Sequence, residues 1–230
     1  MPLRLGKNIR GIISTQSYNA NAYSEEDKET LELLAAHAVI ALENAQLFRE
    51  VQELAITDSL TKVFNRRRFF ELADQEFERS RRYSRPLSFI MMDIDHFKRV
   101  NDSLGHAAGD QALEKLAELC QNALREVDIF ARYGCEEFVI MLPETTSGEA
   151  QLTAERIRQL IARTPIEINS HSLNITLSFG VVELYPTCRN TEELLDRSDQ
   201  ALYRSKRTGR NRVTIWNPTM QPKGESTPQP

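Results

Sequence analysis

The first clear pattern along the chain is a run without proline or glycine from Glu25 to Ile56. Ser24 precedes the run and Asp27 follows three residues later, an arrangement typical of an N-terminal capping box. Large aliphatic residues recur at every seventh position: Leu33, Ile40, Leu47 and Leu54. The pattern predicts one continuous helix whose repeat favours a parallel coiled coil, with an amphipathic helix packed on its own domain as the alternative.

From Asp58 onward, apolar strands alternate with amphipathic helices. The predicted helices are 65–83, 96–105, 106–126, 147–163 and 191–207, and the predicted strands are 87–95, 128–134, 136–142, 173–183 and 212–216. This order predicts an α+β fold with a ferredoxin-like βαββαβ core, hairpin-joined middle strands and helices on one face. A further strand is predicted at 9–16.

Composition and charge narrow the possible functions. Of the 230 residues, 40% are hydrophobic and 27% charged, and 29 Lys and Arg against 33 Asp and Glu leave a net charge of −4. No positive excess favours nucleic acid, and the longest apolar stretch, 33–42, is too short to cross a membrane. We therefore expect a cytoplasmic protein without nucleic-acid or membrane partners. The 3 cysteines, widely spaced and without a CxxC pair, predict neither a disulfide framework nor a zinc site.

Acidic residues end one predicted strand and follow the turn of the neighbouring hairpin. Asp93 and Asp95 are two residues apart, so both side chains point to one face of the sheet. Together with Glu136, they would converge on an oxygen-rich cavity that suits Mg²⁺ or Mn²⁺ and, through the metal, a nucleoside triphosphate. The alternative for Asp95 is an acid that caps the following helix.

Basic residues and a helix start could face the phosphates of such a ligand. Lys206 and Arg210 bracket a glycine turn at a helix end, although basic residues there are also ordinary partners of the helix dipole. Phe97 and Lys98 begin a short helix, where backbone N–H groups are free for phosphate.

An amide and a carboxylate flank the following loop. Asn101 and Asp110 would present a combination of donors and acceptors that fits a guanine edge. Their alternative is an ordinary role as turn and first-turn residues.

Several stretches together resemble one family. In order from residue 58 to 216, the segments DSLTKVFNRRRF, MMDIDHFKRVNDSLGHAAGD, RYGCEEF, TLSFGVV and SDQALYRSKRTGRNRV resemble the motifs of the GGDEF family of diguanylate cyclases. The resemblance implies a palm-like fold similar to class III nucleotide cyclases, and the condensation of two GTP molecules into cyclic di-GMP with release of pyrophosphate. Each subunit would hold one GTP, so we expect a homodimer formed through the N-terminal helix.

The resemblance also implies roles for individual residues. Asp93, the main-chain carbonyl of Ile94 and Glu136 would hold Mg²⁺. Glu136, with Glu137 beside it, would help to activate the ribose 3′-hydroxyl. The residues expected to bind GTP are Asn101 and Asp110 at guanine, His106 in the same pocket, Phe97 and Lys98 near phosphate, and Lys206 and Arg210 at the β- and γ-phosphates.

The signature departs from the family at one position, where Cys135 replaces the second glycine of RYGGEEF. Glycine there would permit a positive φ and a close approach of the backbone to the nucleotide. We therefore expect backbone strain at Cys135, which puts catalysis in doubt. Two functions stay open: an active diguanylate cyclase, or a catalytically silenced domain that binds cyclic di-GMP or GTP.

A second ligand site is implied by the RxxD pair Arg125 and Asp128, placed as in the family's inhibitory site, where product binds away from the catalytic pocket. Arg156 would contribute to this site from the facing domain. The structural alternative is a helix-end arginine and a strand-start aspartate.

The domain organisation follows from these matches. Residues 1–24 resemble the C-terminal remnant of a GAF-like sensor domain, and 25–57 resemble a signalling or coiled-coil helix. The GGDEF domain is expected at 58–216, and the Pro-rich residues 217–230 are predicted to be a disordered tail.

Overall fold

The computed structural model describes residues 2–5, 8–19, 22–168 and 171–220. The chain divides into two compact units, residues 1–55 and 56–230, which are described separately.

The N-terminal unit contains a hairpin and a long helix. Strands β1 (Pro2–Leu5) and β2 (Asn8–Ile12) pair antiparallel, and helix α1 spans Glu25–Ile56. Its predicted capping box is present, because the Ser24 amide donates to Asp27 Oδ2 at 2.8 Å and the Asp27 amide donates to Ser24 Oγ at 3.2 Å. The prediction that residues 1–24 are a GAF-like remnant stays a prediction.

Helix α1 has two apolar faces with different surroundings. Ala35 and Val39 are buried against Leu3 of the hairpin. On the opposite side, Leu33 and Ile40 are 60% and 55% exposed. The side chains of Leu47 and Leu54, the other members of the predicted repeat, lie outside the described residues. An apolar face is therefore left available for a partner helix.

The C-terminal unit is a sheet covered by helices. Its elements are α2 (Arg66–Tyr83), β3 (Leu87–Ile94), α3 (Phe97–Leu104), α4 (His106–Asn122), β4 (Ile129–Arg132), β5 (Glu137–Pro143), α5 (Ser147–Arg163), β6 (Ile166–Ile168), β7 (His171–Leu173), β8 (Leu177–Glu183), α6 (Thr191–Arg207) and β9 (Val213–Ile215). The main sheet has the order β4-β5-β3-β8-β9, with only the β8 and β9 pair parallel. The predicted α+β, ferredoxin-like βαββαβ core is confirmed, with β3 in the centre.

Helices cover both faces of the sheet, although the two helices within the βαββαβ core, α4 and α5, pack on one face as predicted. Ile90 and Met92 of β3 pack in the cluster that includes α4 and α5, whereas Phe89 and Met91 pack in the cluster that includes α2 and α6. All eight residues of β3 are buried. A strand that is apolar on both sides needs cover on both sides, and α2 and α6, which flank the βαββαβ core in sequence, supply the second layer.

Smaller differences lie near the C-terminus. The predicted strand 173–183 is divided, because β7 pairs with β6 in a separate hairpin and β8 begins at Leu177. Of the predicted tail, Asn217 and Met220 close a turn, with the Met220 amide donating to the Asn217 carbonyl at 3.0 Å, and 221–230 lie outside the described residues. Among the helices described, none is long and apolar enough to span a bilayer.

Candidate active site

The site is built around Asp93, near the C-terminal end of the central strand β3. In the sheet register, Asp93 lies opposite Glu137 of β5 on one side and Ser178 of β8 on the other. It is only 4% exposed, and Lys206 near the end of α6 reaches it with Nζ 2.7 Å from Oδ2. The buried carboxylate of Asp93 is therefore paired with the positive charge of a lysine that is distant from it in the sequence.

The acids at this edge of the sheet crowd one another. Burial raises the pKa of Asp93 to about 6, with Lys206 opposing the shift and Glu136 and Glu137 adding to it. Burial also raises the pKa of Glu136, again opposed by Lys206 and reinforced by Glu137. Such a cluster is stabilised by added positive charge, which fits a divalent cation.

Asp95 does not join this cluster, which corrects the prediction of three converging carboxylates. Its Oδ2 accepts hydrogen bonds from Thr176 Oγ1 at 2.7 Å and from the backbone N–H of Asn211 at 2.9 Å, and its Oδ1 accepts one from Ser178 Oγ at 2.6 Å. The capping alternative is also wrong, because the residue before α3 is His96 and its N-terminus has no side-chain cap. Asp95 instead joins β3 to β8 and to the turn after α6.

The remaining oxygen donors fit a hard divalent cation. They are the carboxylates of Asp93 and Glu136 and the carbonyl of Ile94, whose amide donates to the Glu136 carbonyl at 3.3 Å. Within the described part of the chain, no group of three or more His, Cys, Asp or Glu side chains could hold a metal. Mg²⁺ is usually held by one or two carboxylates together with substrate phosphates, so these donors suit it.

The turn that carries Cys135 is not strained there. Cys135 is exposed and has no positive φ, so the expectation of strain is wrong. At Gly134, an added Cβ would lie 2.5 Å from Glu137 Oε2, which is the end of a flexible side chain. A larger residue there would therefore displace the carboxylate of Glu137. Cys120, Cys135 and Cys188 are all free.

The guanidinium group of Arg132 stabilises the turn at Gly134 and Cys135 by hydrogen bonds to its backbone. Arg132 donates to the carbonyls of Gly134 at 3.1 Å and Cys135 at 2.7 Å, and to Asp58 Oδ1 at 3.0 Å. Hydrogen bonds from Thr61 and Arg132 keep the pKa of Asp58 below its ordinary value, although burial opposes them. The sequence reasoning missed this role of Asp58 and Thr61, for which the DSLT stretch was the available signal.

The predicted base-reading residues lie on α3 and α4, which Gly105 joins. Asn101 on α3 is half-buried, while His106 and Asp110, one turn apart on α4, are exposed. The structure brings Asn101 against α4, because a Cβ added at Gly109 would overlap its Oδ1. An amide and a carboxylate are thus available beside the same helix N-terminus.

The predicted phosphate-facing residues differ in their exposure and in their partners. Phe97 is 3% exposed and packs in the core, so only its backbone could face a phosphate, whereas Lys98 is exposed. Lys206 is paired with Asp93, as described above. Arg210 is exposed in the turn after α6, with φ of 60° and its amide bonded to the Ser205 carbonyl at 3.0 Å.

The predicted inhibitory residues share one turn at the end of α4. Asp128 Oδ2 accepts from the Arg125 amide at 2.8 Å, while its Oδ1 is buried without a partner in the described residues. Arg156 of α5 donates to the Ala123 carbonyl at 2.7 Å, so it lies beside this turn in its own chain. The Arg125 side chain is exposed. An adjacent cavity of about 810 Å³ has Arg125 and Arg79 among its lining residues, and Arg79 was not predicted.

Sequence comparisons identify relatives for most of the chain. A family model described as "Diguanylate cyclase, GGDEF domain" matches residues 55–212. The chain is 34% identical over 220 residues to diguanylate cyclase A of Treponema denticola, a match that covers 94% of this chain and 58% of that protein. It is 33% identical over 222 residues to diguanylate cyclase DgcP of Pseudomonas aeruginosa, covering 94% of this chain and 33% of that protein.

A structural comparison also identifies a GGDEF domain as similar to this chain. The fold is similar to the crystal structure of the coiled coil and GGDEF domain of DgcB from Caulobacter crescentus in complex with c-di-GMP. The TM-score is 0.73 at 31% sequence identity, and the match covers 81% of this chain and 99% of that one.

Proposed function

The chain belongs to the GGDEF family of diguanylate cyclase domains, and from this premise we propose that it condenses two GTP molecules into cyclic di-GMP with release of pyrophosphate. The observation that carries the proposal is the unstrained turn at Cys135, which Arg132 holds in place at the start of the strand that pairs with Asp93. The substitution at the second glycine therefore leaves the acidic site assembled.

The chemistry of each half-reaction follows from the acids and bases at the site. Bound Mg²⁺ or Mn²⁺, held by Asp93, Glu136 and the Ile94 carbonyl, would polarise the phosphate oxygens. The carboxylate of Glu136 accepts the proton of the ribose 3′-hydroxyl. The 3′-oxygen bonds to the α-phosphorus of the partner GTP, the bond from that phosphorus to the β-bridging oxygen breaks, and pyrophosphate leaves. The second half-reaction closes the ring.

Substrate binding is divided between the two sides of the site. Asn101 and Asp110 read the guanine edge, with His106 at the mouth of the same pocket. The backbone at Phe97, the side chain of Lys98, and the basic groups of Lys206 and Arg210 face the phosphates. Lys206 would then interact with both the carboxylate of Asp93 and a phosphate group of GTP. Glu137 keeps its carboxylate against Gly134 and adds negative charge beside Glu136.

Two half-sites must meet, so the active form is a homodimer. The exposed apolar face of α1, with Leu33 and Ile40, supports pairing through this helix. Product inhibition through Arg125, Asp128 and Arg156 is part of the proposal. The exposed Arg125 side chain and the unpartnered buried oxygen of Asp128 within the described residues support it.

The test is to incubate nucleotide-free protein with GTP and Mg²⁺ and to separate the products by HPLC. We expect cyclic di-GMP from the unmodified chain, and a loss of at least about a hundredfold in Glu136→Gln, which keeps the shape but removes the base. Cys135→Gly should change the rate little, because Cys135 is exposed and unstrained.

The contrary result is equally clear. If only Cys135→Gly forms cyclic di-GMP, the natural chain is a silenced domain, and its function is then the binding of cyclic di-GMP or GTP. Calorimetric titration with both nucleotides would identify which of them it binds.

A further inference from the structure

Gly109 stands where a side chain cannot be added without moving Asn101. It is the fourth residue of α4 and is buried. A Cβ built on it would overlap Oδ1 of Asn101 and would lie 3.0 Å from Cγ of Asn101 and 3.3 Å from Cζ of Phe97. The side-chain amide of Asn101 therefore occupies the volume that any other residue at position 109 would fill.

Backbone conformation does not explain this glycine. Among the described residues, the glycines with positive φ are Gly105 and Gly209, so the backbone at Gly109 suits any L-residue. In a helix, glycine is less favourable than alanine. What distinguishes Gly109 is the space that its missing side chain leaves for Asn101.

Packing, rather than hydrogen bonding, sets the place of Asn101. No hydrogen bond to its side-chain amide occurs within the part of the chain that the structure describes. Phe97, which also lies beside Gly109, is held in place because it is 3% exposed and belongs to the main core. The amide is thus held against α4 with its donors and acceptor free for a ligand.

We propose that Gly109 is a positioning residue for nucleobase selection: its missing side chain places the Asn101 amide beside Asp110, so that the pair selects guanine over adenine. This inference rests on the proposed role of Asn101 and Asp110 in reading guanine. An amide that is displaced by one methyl group no longer meets the base edge in the same geometry. The overlap is with the end of a side chain and not with backbone, so the chain accommodates alanine by moving Asn101.

The test compares Gly109→Ala with Gly148→Ala. Gly148 is also in the first turn of a helix, α5, but a Cβ there has nothing within 4 Å. Affinity is measured by calorimetry with the α,β-methylene analogues of GTP and ATP, which cannot release pyrophosphate, and KM and kcat are measured with GTP. In Gly109→Ala, we expect GTP-analogue affinity and selectivity over the ATP analogue to fall by about tenfold, with KM affected more than kcat. Gly148→Ala should match the unmodified chain.

A double-mutant cycle separates the inference from the function on which it rests. In the Asn101→Ala background, Gly109→Ala should cause no further loss, because the group that it displaces is already gone. Equal losses in both backgrounds would overturn the inference alone. If Asn101→Ala itself leaves affinity and selectivity unchanged, the base-reading role of Asn101 fails, and the inference fails with it. Loss of selectivity in Gly148→Ala would also contradict the proposal.

Discussion

At the scale of single residues, two neighbouring aspartates have different surroundings. Asp93 is paired with one lysine and lies among other acids, whereas Asp95 accepts three hydrogen bonds from β8 and the turn after α6. Both are buried, and their spacing alone made them equivalent candidates for metal binding. Their partners, rather than their positions on the strand, distinguish the two residues: Asp95 is a structural clamp that joins β3 to β8 and to the turn after α6.

Removal of the Asp95 carboxylate should therefore destabilise the fold. In Asp95→Ala, the hydroxyls of Thr176 and Ser178 and the backbone amide of Asn211 lose their acceptor, and the bond from Ser178 is fully buried. We expect the free energy of unfolding to fall by about 2–4 kcal/mol, measured by urea denaturation. Asp102→Ala, an exposed substitution on α3, is the matched control and should stay within about 0.5 kcal/mol. Equal stability of the two variants would refute the clamp.

At the scale of elements, the distance between α6 and β8 decides where Lys206 lies. A Cβ added at Gly180 of β8 would collide with the backbone of Ser198 and Leu202 on α6. Glycine at this position therefore lets the helix pack directly on the strand. That approach brings the end of α6 to the carboxylate of Asp93, on the neighbouring strand β3.

We expect Gly180→Ala to push α6 away from the sheet. The collision is with backbone and cannot be relieved by a side-chain rotation, so the free energy of unfolding should fall by about 3 kcal/mol or more. Thermal and urea denaturation would measure the loss, with Gly148→Ala as the control that adds the same methyl group in open space. An unchanged unfolding midpoint in Gly180→Ala would contradict the close packing described above.

At the scale of the whole molecule, the proposed reaction requires a contact between two copies of the chain. One apolar face of α1 is buried against the hairpin, and the opposite face is exposed. We predict that Leu33→Asp combined with Ile40→Asp weakens the dimer, because charge is placed in the predicted helix seam. Analytical ultracentrifugation would report a shift to monomer, and cyclic di-GMP formation should then rise more steeply with protein concentration.

The control for that prediction lies on the same helix. Leu42 is 55% exposed, as is Ile40, but lies about 160° away around the helix. Leu42→Asp should leave the sedimentation behaviour unchanged. A dimer that survives both seam substitutions would place the interface elsewhere on the protein.

Local patterns in the sequence determined the order of elements, the strand-end acids and the family motifs. Periodicity and caps act over a few residues, so they can be interpreted without tertiary contacts, as the Ser24 and Asp27 cap and the βαββαβ order illustrate. Of the predicted site residues, Lys206 lies beside Asp93, with Nζ 2.7 Å from Oδ2.

Only the tertiary structure decided which of these residues share a partner. The bonds that give Asp95 its role reach Thr176 and Asn211, 81 and 116 residues away, and the bond from Arg132 to Asp58 spans 74 residues. The space at Gly109 and the absence of strain at Cys135 likewise depend on neighbouring groups and backbone geometry. The physical reason is that a side chain's partners are set by packing between elements, which no local pattern encodes.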